Sequence, residues 1–314
     1  MLLHIGYHKT ATTWLQKHVF FAADNDAFHV LTPRAGHPRE LANHFVRAAD
    51  EGLLSPFDDN QTAVADALQA TLQATRGMPG TPVLSDERLS GNPHAGGFDA
   101  ARIATALHAS FPGADVLIVI REQKAMTLSC YFQYLSIGGT RSLETYMLDR
   151  YDRRIPGFSF ANLDYLLLVE RYRALWGAER VHVLPYELFA ASPRAFLDRL
   201  ERITGRTIRV PESSLRVREN ANLRPGAAYS LRWLNRFRFC ASVNDYSPWC
   251  TPLTRAAANA GFRLLSKLGS RARDARLLEH LRAKIEARVG DRFGESNARL
   301  AALCDLDLAR YGYC

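Results

Sequence analysis

The apolar positions follow two periods along the chain. Residues 1–6 place Leu2, Leu3 and Ile5 in a short buried strand that ends on Gly6. Residues 8–13 form a polar loop, and residues 14–22 have the spacing of an amphipathic helix. Helical spacing returns at 37–52 and 61–76, with Asp58, Asp59 and Asn60 as a capping region for the second. A short apolar strand at 81–85 follows Pro79-Gly80, and 99–110 is helical. Residues 116–120 read VLIVI. A run this aliphatic and β-branched suits a strand covered on both faces. Helices are predicted over 122–135 and 163–176, a strand over 181–184 and a helix over 193–204. From Pro225 to Leu303 nearly everything has helical spacing.

Strands that alternate with helices predict an α/β fold: a central, mostly parallel sheet flanked by helices, with a helical C-terminal extension. No Pro-, Ser- or Gly-rich run divides the chain, and no repeat or low-complexity tract occurs. Residues 1–314 are expected to form one domain, with 225–314 as its helical C-terminal part.

Charge adds an asymmetry. The net charge is +8 over 314 residues. From Arg216 to the C-terminus there are 18 Lys and Arg against 9 Asp and Glu, while the rest of the chain is close to neutral. Such a third attracts polyanions: a nucleotide with several phosphates, an acidic glycan, a membrane surface or nucleic acid. The plainer alternative is arginines decorating solvated helices. Peripheral contact with a membrane or an anionic glycan suits this third, and no nucleic-acid partner is expected. Five cysteines, with no C-x-x-C pair, form neither a disulfide framework nor a zinc site; free structural thiols in a reducing compartment fit best, with a Cys240–Cys250 bridge as the alternative. No apolar stretch reaches the length of a membrane span, and the chain enters a core strand without a basic leader. A soluble cytoplasmic enzyme is the expectation.

The chemistry starts in the loop after the first strand, Gly6-Tyr7-His8-Lys9-Thr10-Ala11-Thr12-Thr13-Trp14. A helix N-terminus presents unpaired N–H groups and partial positive charge. The small residues Thr10, Ala11 and Thr12 let an anionic oxygen approach that backbone. Thr12 and Thr13 add hydroxyls, and Lys9 a full charge. The loop is not a Walker A motif: Lys9 comes early and no second glycine exists. Nor does VLIVI end in a magnesium-binding aspartate, because Arg121-Glu122 follows it. Arg121 therefore stands at a strand's C-terminal end, where open α/β sheets bind ligands. Ser129 follows eight residues on, about two helical turns along the next helix. A forked guanidinium and a short hydroxyl at that spacing can grip one phosphate.

His8-Lys9-Thr10-Ala11-Thr12-Thr13-Trp14 resembles the 5′-phosphosulfate loop of the sulfotransferases that use 3′-phosphoadenosine 5′-phosphosulfate (PAPS), with His8 in place of a proline and Ala11 in place of a glycine. Arg121 through Phe132 is similar to that family's 3′-phosphate element, an arginine after a strand with a serine eight residues on. Asn162–Tyr165, Val181–Leu188, Phe293–Leu300 and Tyr311–Tyr313 resemble further blocks of bacterial members. The resemblance implies a P-loop NTPase-like fold, PAPS as co-substrate with no metal required, and transfer of a sulfuryl group to a hydroxyl acceptor. It also implies that His8, Lys9, Thr10, Ala11, Thr12, Thr13, Arg121 and Ser129 bind the donor, joined by Arg218 and Arg224 from the basic stretch 216–224.

Lys9 is expected to stabilise the charge that grows on the bridging oxygen as the sulfuryl group leaves. Glu87, just past the strand at 81–85, is the expected base, matching an S-x-E segment of the family. His94 and His8 are the runners-up. Two other readings stay open: a P-loop-like small-molecule kinase, and a non-catalytic module that binds nucleotides or polyanions through the basic third. The acceptor is not legible, whether glycan, glycolipid or small molecule. Phe132, Tyr134, Tyr151, Phe158, Trp233, Tyr246 and Trp249 either line its pocket or pack the core.

Overall fold

The structure, a computed structural model, describes residues 1–22, 26–32, 37–54, 61–148, 157–217, 224–239, 247, 249–267 and 270–313. Strand β1 is Leu2–His4. Helix α1, Thr12–Leu15, continues into a π-helical turn at Gln16–Phe20. Strand β2 is Phe28–Val30, and α2 (Glu40–Leu54) and α3 (Gln61–Ala74) follow it. Strand β3 (Thr81–Ser85), α4 (Ala100–Ser110), β4 (Asp115–Ile120), α5 (Gln123–Ser136), α6 (Leu143–Tyr146), α7 (Tyr165–Trp176) and β5 (Val181–Pro185) complete the alternating part. The C-terminal helices are α8 (Tyr186–Ala191), α9 (Pro193–Thr204), α10 (Glu212–Leu215), α11 (Pro225–Arg238), α12 (Pro252–Lys267), α13 (Arg271–Val289) and α14 (Gly294–Cys304).

Among the described residues the strands form one all-parallel sheet in the order β2-β3-β1-β4-β5. The α/β fold with a helical C-terminal extension is as the alternation predicts. The period of two sorts the strand residues into layers. Leu3, Ile5, Leu84, Val116, Ile118 and Ile120 face one side, against residues of α2, α4, α5 and α7. Leu2, Val83, Leu117, Val119 and Leu184 face the other, against Trp14, Leu15, Phe20, Phe196 and Leu200. VLIVI is buried on both faces, as its composition requires. The larger cluster runs from Leu3 to Tyr313 and takes in Leu231, Leu281 and Ile285, so α11 and α13 pack on the same core.

The differences from the sequence reading are local. Strand β2 was not foreseen; Phe28-His29-Val30 is three residues long, too short for an alternation to register. Helix α1 starts two residues before Trp14, because Thr12 and Thr13 already belong to its first turn, and its regular part ends at Leu15. The proposed caps Asp58, Asp59 and Asn60, like Tyr151, Cys240 and Tyr246, lie outside the described residues.

The site is positioned by the sheet order. Strand β1 lies between β3 and β4, and the chain leaves β1 toward β2 on one flank while β4 occupies the other. A crevice opens outside the C-terminal ends of the strands where connections diverge in this way. The turn after β1, Glu87 after β3, Arg121 after β4 and Tyr186 after β5 all stand at that edge.

Candidate active site

The turn after β1 is tightly folded. Beyond His4 the backbone stays beside β4: the Ile5 N–H donates to Leu117 O and the Tyr7 N–H to Val119 O, both at 3.0 Å. The chain then doubles back, and the Thr10 hydroxyl donates to the Tyr7 carbonyl. Gly6 makes room for this. A Cβ there would lie 3.0 Å from His4 Nε2, 3.1 Å from Thr10 Oγ1 and 3.3 Å from Val119 Cβ. Lys9 and Ala11 both take φ of 64°, the left-handed region that costs an L-residue roughly 1–2 kcal/mol. Ala11 is the N-cap of α1 and offers no side-chain cap, and Ala11, Thr12 and Thr13 at this helix start line the cleft. Two strained residues in three make this turn a functional candidate.

Arg121, at the end of β4, is fixed from several sides. Its Nη1 donates to the Lys9 carbonyl at 3.2 Å and lies 3.4 Å from Ser129 Oγ. Its guanidinium stacks over Tyr186 at 4.8 Å from the ring centre. Its own carbonyl accepts from the Tyr165 hydroxyl at 2.6 Å, and the next amide, Glu122 N–H, donates to Glu187 Oε1 at 3.0 Å. Glu187 also accepts from the Tyr313 hydroxyl at 2.8 Å, tying the C-terminal residues to the same corner. The Glu122 carboxylate caps α5, accepting from the Lys124 and Ala125 amides, both at 2.7 Å.

These elements enclose a cleft of about 720 Å³, a size that holds a drug-sized ligand. His8, Lys9, Ala11, Thr12, Thr13, Glu87, Arg121 and Ser129 all line it. A second hollow of about 450 Å³ continues past Arg121 and Ser129 toward Lys124, Phe132 and Arg282. Four buried polar atoms on the walls of the main cleft have no hydrogen-bond partner: His8 Nδ1, Thr12 Oγ1, Arg121 Nε and Gln133 Oε1. Buried polar atoms are rarely left unpaired, and a polar ligand is the economical partner for several on one wall.

Glu87 sits on the first turn after β3. Its Oε1 lies 3.2 Å from Arg39 Nη2. The same arginine holds the fully buried Asp86 through two of its nitrogens, and Asp86 accepts from the Arg88 amide at 2.8 Å. Asp86 is thus the structural carboxylate of the pair, while Glu87 faces the cleft. The histidines are kept neutral. Burial, reinforced by Arg88, holds His8 down to about 3. Burial, with Arg88 adding repulsion, does the same to His94. His94 is not among the residues lining the cleft, and its Nδ1 lies 3.1 Å from the Tyr146 hydroxyl.

The structure therefore brings together His8, Lys9, Ala11, Thr12, Thr13, Glu87, Arg121 and Ser129. Thr10 is fully buried beneath the turn and shapes it without lining the cleft. Arg224 points elsewhere: its Nε and Nη2 bond Asp274 Oδ2 at 3.0 and 2.8 Å. Arg218 lies outside the described residues, but Arg216 of the same basic stretch lines the cleft beside Leu215 and Val217. Trp14 Nε1 donates to the Ser214 carbonyl at 3.1 Å, holding that segment over α1. Of the aromatic residues considered for the acceptor, Phe158 is buried in the core, whereas Trp233 and Trp249 are exposed. Tyr186, Gln133 and Arg39 were missed. Tyr186 lay in the block Tyr186-Glu187-Leu188, which marks a strand end; nothing in the spacing of Gln133 or Arg39 marks them.

The fold is similar to that of a sulfotransferase. The crystal structure of that enzyme, from Alicyclobacillus acidocaldarius, superposes with a TM-score of 0.49 and 17% identity, over 86% of this chain and 97% of that one. No protein-family model matches this chain, and no curated protein matches it.

Proposed function

We propose that this protein is a single-domain sulfotransferase that takes PAPS in the cleft between the Lys9 turn and Arg121 and passes its sulfuryl group to a hydroxyl acceptor. The observation that carries the reading is the shared wall. The Lys9 turn and the Arg121–Ser129 pair, 112 and more residues apart in sequence, line one cleft and are hydrogen-bonded to each other. That cleft supplies cationic and hydroxyl groups, two of them with unpartnered buried atoms, at Thr12 and Arg121. A nucleotide with phosphate at both its 5′ and 3′ positions suits two such grips, whereas a single-phosphate ligand leaves one of them idle.

In this reading Lys9, the α1 amides and the Thr12 and Thr13 hydroxyls hold the 5′-phosphosulfate, and Arg121 with Ser129 holds the 3′-phosphate. Among the described residues of the basic 216–224 stretch, Arg216 lines the cleft and joins them in this reading. The acceptor oxygen forms its bond to sulfur as the bond from sulfur to the bridging oxygen breaks. The electron pair stays on the departing phosphate, where Lys9 offsets the new charge. Glu87 takes the acceptor's proton, and Arg39 holds its carboxylate in place. Adenosine 3′,5′-bisphosphate is released.

Calorimetric titration tests the reading. It predicts binding of adenosine 3′,5′-bisphosphate without added metal, and far tighter binding than of ATP. Tighter binding of magnesium-ATP would turn the assignment toward a kinase.

A further inference from the structure

Helix α12 lies apart from the cleft and is the least buried of the long helices. Of its sixteen residues only Ala258 is buried. One stripe of its exposed surface is apolar. Leu253 is 83% exposed and Leu264 60%, with Ala257 and Ala260 exposed between them. Spacings of four, three and four residues put these side chains in one stripe. Trp249, four residues before Leu253 and ahead of the helix, is 64% exposed. Scattered leucines are normal on a protein surface, but a continuous stripe marks an interaction site.

The surroundings are cationic. Arg255, Arg263 and Lys267 are exposed on the same helix. Between Pro225 and Arg273 the sequence holds eight Lys and Arg and a single acid, Asp245. On α11 the guanidinium groups of Arg232 and Arg236 lie 4.7 and 4.9 Å from the ring centre of the exposed Trp233.

We propose that α12, with the basic and aromatic residues around it, docks on an anionic lipid bilayer. The leucine stripe enters the acyl boundary and the arginines meet the headgroup phosphates, the arrangement of helices that lie in a membrane surface. A second copy of this chain is a poorer occupant, because a two-fold contact pairs the patch with itself and sets its cations against each other. A soluble polyanion answers the charge but leaves the stripe in water.

The test is co-sedimentation of the full chain with vesicles of phosphatidylcholine alone, and with vesicles containing about one-third phosphatidylglycerol. The wild type is expected to pellet with the anionic vesicles and not with the neutral ones, and to be released by high salt. Leu253→Glu with Leu264→Glu should lower partitioning at least ~10-fold, from lost apolar burial. Arg263→Glu with Lys267→Glu should lower it by a similar factor. All four positions are exposed, so the circular dichroism spectrum should not change. Three results overturn the proposal: wild type that stays in the supernatant, equal pelleting of either double variant, or a solution dimer that the leucine pair dissolves. Retention on heparin without vesicle binding overturns it too, in favour of a soluble polyanion. Vesicle binding needs neither donor nor acceptor, so its failure leaves the sulfuryl-transfer reading intact, and the reverse holds as well.

Discussion

Arg121 donates to the backbone carbonyl of Lys9 at 3.2 Å, so the residue that ends β4 is fastened to the turn that ends β1. That bond links the two groups on which the proposed chemistry depends, and it fixes their separation. Arg121 is in turn held at its backbone by Tyr165 and, through Glu122, by Glu187.

Glu187 is therefore a positioning residue. Glu187→Ala removes acceptors for the Glu122 amide and the Tyr313 hydroxyl. A loss of about 2 kcal/mol of stability is expected, together with weaker binding of adenosine 3′,5′-bisphosphate. Glu187→Gln keeps an acceptor for the amide and should recover most of that binding. Denaturant midpoints and calorimetry on both variants check this; equal binding in Glu187→Ala and the wild type would remove Glu187 from the positioning of Arg121.

The strained turn offers a second check. Ala11 holds φ at 64° with a Cβ present. Ala11→Gly relieves the steric cost and adds freedom to the unfolded chain, and the relief outweighs the added freedom. A gain of roughly 0.5–1 kcal/mol is expected in urea unfolding. A lower urea midpoint would show that the turn is not left-handed at this residue.

Three histidines whose charged forms the fold disfavours set a pH dependence. Burial holds His4, His8 and His94 each down to about 3, against 6.5 for the free side chain. Between those values the unfolded chain binds protons that the folded chain does not, so stability falls as pH drops below about 6.5. Each histidine contributes up to about 1.4 kcal/mol per pH unit once its unfolded form is protonated. Between pH 6.5 and 5 this loss precedes most carboxylate titration. Unfolding free energies at pH 7.5 and 5.5 test it: a clear drop is expected, and a smaller one in His4→Asn. A flat profile would mean that the histidines are charged or exposed.

Glu87 separates chemistry from binding. Glu87→Gln should bind adenosine 3′,5′-bisphosphate within about threefold of the wild type, because a change of that size is under 1 kcal/mol. Turnover should fall by about 10²-fold or more. The assay is transfer of labelled sulfate from PAPS to water or a small phenol. Unimpaired turnover would pass the role of base to His8, whose neutral ring also faces the cleft with Nδ1 unpartnered.

Much of this was legible in the chain. VLIVI could only be a strand covered on both sides, and a strand so placed put Arg121 at the ligand edge of the sheet. The polar turn between Gly6 and Trp14 announced itself by interrupting two apolar segments. What the sequence hid lay in partners set by the third dimension. Nothing in the order of residues shows that Asp86 is consumed by Arg39 while Glu87 turns to the cleft. Likewise Arg224 and Arg216 are alike as letters, yet Asp274, fifty residues away, claims one and leaves the other on the wall. Strand β2 escaped because three residues carry too little pattern.

The account stands or falls on the two grips holding opposite ends of one nucleotide. The most direct measurement is calorimetry of adenosine 3′,5′-bisphosphate, adenosine 5′-phosphate and adenosine 3′-phosphate against the wild type, Lys9→Ala and Arg121→Ala. The wild type should prefer the bisphosphate to either monophosphate. Lys9→Ala should lose the preference that the 5′-phosphate confers, and Arg121→Ala that of the 3′-phosphate, each by about 2 kcal/mol or roughly 30-fold. Wild-type affinity for the bisphosphate in both variants would contradict the claim.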